Sequence, residues 1–111
     1  MAKSDLLIEI RSMYEKHGWQ LHSILLRQDT VADLGQGIEG LKNEGKVREA
    51  ACDALWFSRP SHNKGEAWEL RLLAETPYAL FQRFNFGESD ENRSRVLKEM
   101  EERMLNYAVR S

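Results

Sequence analysis

At 111 residues the chain has room for one domain and is too short for two ordinary ones. Sixteen Lys and Arg against 18 Asp and Glu leave a net charge of −2, which removes the electrostatic case for nucleic acid or an anionic membrane surface. The 41% hydrophobic content, with three Trp, three Tyr and four Phe, is too high for a disordered chain and sufficient for a core without staples.

Cys52 is the one cysteine and forms no internal disulfide, which points to a reducing compartment. Leu6-Leu7-Ile8 is interrupted by Glu9 and Arg11, so no signal-peptide core is expected. No stretch approaches the ~20 apolar residues of a membrane span. Without secretion, Asn92-Arg93-Ser94 is an accidental match to a glycosylation acceptor. The expectation is a cytoplasmic domain with no membrane and no nucleic-acid partner.

In chain order, Ser4 is placed to cap a first helix, along which Leu7, Ile10 and Tyr14 recur at helical spacing. Gly18 stops it. Trp19 to Gln28 reads as a strand, and its continuous Ile24-Leu25-Leu26 run suggests burial on both faces. Asp29 or Thr30 opens a second helix with Val31, Leu34, Ile38 and Leu41 in one stripe, weakened by its glycines. Lys42 to Ala51 reads as a connection with a helical turn near Val47. Asp53 to Arg59, Glu66 to Ala74 and Tyr78 to Phe86 form an antiparallel meander, with Pro60 to Gly65 as a turn-rich loop. A final helix carries Leu97, Met100, Met104, Tyr107 and Ala108 on one face, with Glu91–Arg95 and Glu99–Arg103 pairs on its surface. The order α-β-α-β-β-β-α predicts one α+β domain over residues 1–111, with an antiparallel sheet of about four strands.

Several apparent motifs lack the context their chemistry needs. Gly35-Gln36-Gly37-Ile38-Glu39-Gly40 spells G-x-G-x-x-G, but a helical stripe separates it from the preceding strand. Gly40 to Lys46 spells G-x-x-x-x-G-K, yet Val47 stands where a magnesium-ligating hydroxyl belongs. His17, His22 and His62 are too scattered for a metal site. Cys52 has acidic Asp53 beside it and no basic activator. Ser58, Ser61 and His62 lack a nucleophile elbow. No catalytic residue, metal or cofactor is expected.

The informative surface is the meander. A loop centred between His62 and Asn63 pairs Arg59 with Glu66, Phe57 with Trp68 and Leu55 with Leu70. Leu55, Phe57, Trp68, Leu70 and Leu72 then share an apolar face, and Trp56, Glu69, Arg71, Phe81 and Arg83 share the other. Aromatic residues among arginines are typical of interface centres. The expected function is therefore a noncatalytic association module, a homodimer or a binder of another protein. The alternative is a small-ligand or enzymatic pocket between sheet and helix, built from His22, Asp53, Arg59, Glu69 and Arg71.

Overall fold

The structure, a computed structural model, describes residues 2–110. Helix α1 (Lys3–Lys16) buries Leu6, Leu7, Ile10 and Tyr14, the stripe that its spacing predicts. Ala2 holds the N-cap position, so Ser4 lies inside the helix and does not cap it. Gly18 ends the turn after α1 at φ +87°, a conformation that disfavours any residue with a Cβ. Strand β1 (Gln20–Leu26) follows, with Ile24, Leu25 and Leu26 all buried.

The second helical stripe is realised in three short pieces. Helix α2 (Gln28–Leu34) breaks at Gly35, a 3-10 turn spans Gly35–Ile38, and α3 covers Glu39–Asn43. Leu34 and Ile38 are nevertheless buried, with Val31 and Leu41 packed against the same cluster. Packing preserves the stripe while the glycines interrupt the backbone that carries it.

The chain then forms β2 (Val47–Glu49), β3 (Ala54–Pro60), β4 (Glu66–Leu72), β5 (Ala79–Phe84) and helix α4 (Asp90–Arg110). The sheet has five strands in the order β2-β1-β3-β4-β5. It is mixed, because β2 runs parallel to β1 while every other pair is antiparallel. This corrects the four-stranded antiparallel expectation, since Val47–Glu49 is a strand and no helical turn. Three residues, two of them charged, carry no alternation for a sequence pattern to register.

Helices cover both faces. Helix α1 lies over β1 on one face, and α4 lies over β4 and β5 on the other. The first core joins α1 and the broken helix to Leu21, Ile24, Leu26, Leu55 and Phe57. The second joins α4, through Met100 and Met104, to Leu25, Trp56, Trp68, Leu70 and Phe84. Ala54, Leu55, Trp56 and Phe57 are all buried, because β3 is central and both its faces are covered.

The β3–β4 hairpin differs from expectation by one residue. Arg59 faces Ala67, Phe57 faces Glu69, and Leu55 faces Arg71. Its loop has five residues closed by the Pro60–Glu66 pair, and the Ser61 N–H donates to the Gly65 carbonyl at 2.9 Å. Asn63 (φ 58°) and Lys64 (φ 61°) supply the left-handed turn. An odd loop shifts the pairing by one, and a one-residue shift transfers one strand's side chains to the other face.

Candidate functional site

The expected Trp56/Phe81 surface is divided by that shift. Trp56 pairs with Leu70 on the α4 face and is only 2% exposed. Its indole N–H donates to Glu101 Oε2 at 2.8 Å, and its ring meets Trp68 edge-on at 5.9 Å. Arg48 forks onto the same Glu101 carboxylate at 3.1 and 2.6 Å. Burial pushes the Glu101 carboxyl up, but the Arg48 and Trp56 hydrogen bonds outweigh it and hold it below the usual range. Trp56 is thus an internal member of the α4 core.

Glu69, Arg71, Phe81 and Arg83 remain together on the α1 face. Register arranges them in three rows across β3, β4 and β5: Leu55–Arg71–Ala79, Phe57–Glu69–Phe81 and Arg59–Ala67–Arg83. Helix α1 reaches as far as the β3–β4 boundary. Tyr14 stacks on Phe57 with ring centroids 4.1 Å apart, and its hydroxyl donates to the Glu69 carboxylate. Burial raises the Tyr14 pKa, as do the hydrogen bond to Glu69 and its charge, while Arg71 opposes the rise. Tyr14 therefore stays protonated and serves as a donor.

Beyond Tyr14 the sheet face is open. Phe81 is 58% exposed, and Trp19 meets it edge-on at 6.4 Å. The Arg59 guanidinium lies over the Trp19 ring, 4.5 Å from its centroid, and donates to the His17 carbonyl at 2.9 Å. Two adjoining cavities share Arg59. One, of about 420 Å³, is lined by Met13, Tyr14, His17, Trp19, Arg59 and Glu69. The other, of about 570 Å³, includes Arg59, Ser61, His62, Phe81 and Arg83 in its wall.

The alternative pocket does not assemble from all its proposed members. Arg59 and Glu69 line one cavity. Arg71 is buried and donates to the Leu72 and Ala74 carbonyls at 3.2 and 3.3 Å. His22 sits at an irregularity in the β1–β3 register and meets Trp68 on the α4 side of the sheet. Burial, followed by the charges of Lys46 and Arg48, lowers its pKa.

Asp53 lies elsewhere, 5% exposed at the entrance to β3. Its carboxylate accepts from the Arg27 N–H at 2.8 Å, from the Thr30 hydroxyl at 2.7 Å and from the Lys3 ammonium. Those bonds tie α1, the start of α2 and β3 together. Neighbouring Cys52 is buried, and burial followed by the charges of Asp53 and Glu101 raises its thiol pKa, which suppresses the nucleophilic thiolate.

The glycine motifs find no phosphate-binding context. Helix α2 intervenes between β1 and Gly35, and the Lys46 ammonium donates to the Leu21 carbonyl at 3.0 Å. Among the described residues, no group of three or more His, Cys, Asp or Glu side chains is placed to hold a metal ion. No described helix is long and apolar enough to cross a membrane.

Sequence reasoning missed that the buried Tyr14 and Trp19, together with Ser61, wall the cavities on this face. Tyr14 sits in an ordinary helix stripe, and Trp19 directly follows a helix stop. Only their meeting with β3, β4 and β5 gives them a shared place. Compared with known proteins, the chain matches no family model, no curated protein and no solved structure.

Proposed function

We propose that the chain is a noncatalytic association module that pairs with a second copy of itself along the β5 edge. The observation that carries this reading is β5 itself, which ends the sheet with a 58% exposed Phe81 at its middle. An edge strand offers a row of backbone donors and acceptors to another strand. Its sequence, Ala79-Leu80-Phe81-Gln82-Arg83-Phe84, lacks the Lys, Glu or Pro that usually blunts such edges. The opposite edge, β2, has three residues, two of them the charged Arg48 and Glu49.

Antiparallel pairing about a two-fold axis at Phe81 sets this ring against its counterpart. The same register sets Arg83 against Ala79, so like charges do not meet. Of the five residues expected on this face, Trp56 takes no part, because it is closed inside the α4 core. The reading places the protein in the cytoplasm, where the buried free thiol of Cys52 stays reduced.

Sedimentation equilibrium tests the proposal. A species of twice the chain mass is expected, and Phe81→Glu or Gln82→Pro should return it to a monomer with unchanged far-ultraviolet circular dichroism. A monomer persisting to about 1 mM, the weak end of specific affinity, rejects it.

A further inference from the structure

We infer that Arg59 and Arg83 form a binding site for a small organic anion, with a carboxylate or phosphate between the guanidiniums and an apolar portion against Phe81. The two arginines rise from β3 and β5 on either side of Ala67, in one row of the sheet face. Two strand spacings separate their backbones by about 10 Å. Ala67 between them is too small to fill the gap, and a cavity of about 570 Å³ opens there. Both arginines, Ser61, His62 and Phe81 contribute to its wall.

The two guanidiniums are held at this place without a carboxylate ion pair among the described residues. Arg11, Arg27, Arg48, Arg93 and Arg95 each approach a carboxylate within 3.2 Å. Arg59 and Arg83 meet only neutral partners among the described residues. Arg83 donates to Ser61 Oγ at 2.9 Å, Asn85 Oδ1 at 2.6 Å and the His62 carbonyl at 2.9 Å. Arg59 donates to the His17 carbonyl and covers Trp19. A guanidinium has five N–H donors, so both retain donors for a ligand.

These neutral contacts hold the cationic groups in position while leaving their charge uncompensated. Gly65 assists, since a Cβ placed there would come 3.2 Å from Arg83 Nη2. The nearest carboxylate of the face, Glu69, sits one row away, is engaged by Tyr14, and lines the neighbouring cavity. Fixed arginine forks facing an unfilled space are suited to planar carboxylates and to phosphates, which accept two parallel N–H bonds. Phe81 and the aliphatic stem of Arg59 provide apolar contact for the rest of a small ligand.

The test follows arginine Nε–Hε resonances of the intact chain by nuclear magnetic resonance. Sodium phosphate and sodium benzoate are titrated separately, each against sodium chloride at matched ionic strength. Saturable shifts at Arg59 and Arg83 with either probe support the site. A response to phosphate alone assigns a phosphate ligand, a response to benzoate alone assigns a carboxylate, and a response to both assigns the shared anion chemistry. Arg59→Gln, at an exposed position, should weaken binding about tenfold or more through loss of charge-assisted hydrogen bonds. Arg83→Gln should do the same, and if it perturbs the hairpin the Arg59 variant decides alone. Shifts no larger than those with chloride, or affinity unchanged in Arg59→Gln, overturn the inference. The outcome is independent of self-association, because the same samples can be weighed by light scattering and the site can be read on a monomer.

Discussion

Asp53 carries a charge into a place that is 5% exposed, and it does so with both carboxylate oxygens occupied. Removing the carboxylate strands the Thr30 hydroxyl and the Arg27 N–H and detaches the Lys3 end of α1. Lys3 is half exposed and returns to solvent, so the loss is that of the Thr30 and Arg27 hydrogen bonds, and Asp53→Ala should cost about 1–3 kcal/mol in urea unfolding. Glu101 is likewise paired with a half-exposed cation, Arg48, and solvent screens the pair. Its carboxyl pKa is depressed in the folded chain, because the Arg48 and Trp56 hydrogen bonds outweigh burial. A depressed carboxylate stabilises the fold above its unfolded pKa of about 4.3. That contribution is lost as pH falls through the lower folded value. Glu101→Gln should flatten the fall of the thermal midpoint with acid below about pH 4.3. An unchanged slope would mean that other carboxylates dominate acid unfolding.

The β3–β4 hairpin decides which residues share a face, and its loop is built around Gly65. A Cβ at this position would stand 2.6 Å from the Phe84 carbonyl oxygen, a backbone atom with little freedom to move. Gly65→Ala should lower stability by about 1–3 kcal/mol, the usual cost of forced overpacking. Gly37→Ala is the control, since nothing lies within 4 Å of its added Cβ and its φ is not positive. That variant should be neutral or raise the urea midpoint by up to about 1 kcal/mol.

The position of each meander strand was legible to within a few residues, because short apolar runs lie between Pro, Gly and Asn. Their register was not. Ala54-Leu55-Trp56-Phe57 is apolar throughout, so it has no alternation from which to assign an inner face. The left-handed turn rests on Asn63 and Lys64, and Lys carries no sequence signature for that conformation. The parallel strand β2 escaped for the related reason that three residues establish no period.

At the scale of the molecule, two helical layers and one sheet make two cores, and the α1 layer does not reach all of its sheet face. Helix α1 ends over the β3–β4 boundary, where Tyr14 meets Phe57 and Glu69. Arg59, Phe81 and Arg83 occupy the remainder, with the buried Trp19 at its border. The proposed dimer lives at this scale. If β5 pairs with β5 of a second copy, unfolding also dissociates the pair, and the thermal midpoint should rise with protein concentration. A midpoint constant over a hundredfold range of concentration in calorimetry would speak for a monomer.

The sequence by itself determined the α+β class, the places of the major helices and four of the strands. It also showed that the glycine motifs lack their required context. Those features depend on local periodicity, glycine conformation and spacing, which are written along the chain. By the register, Glu69, Arg71, Phe81 and Arg83 lie on one face of the sheet and Trp56 on the other. Only the tertiary structure decided that α4 closes over Trp56, that β2 joins β1 in parallel, and that Arg59 and Arg83 flank Ala67. Each of these depends on register and on which helix meets which face. Long-range packing selects them, and in a central strand apolar on both sides the sequence places no mark to distinguish one face from the other.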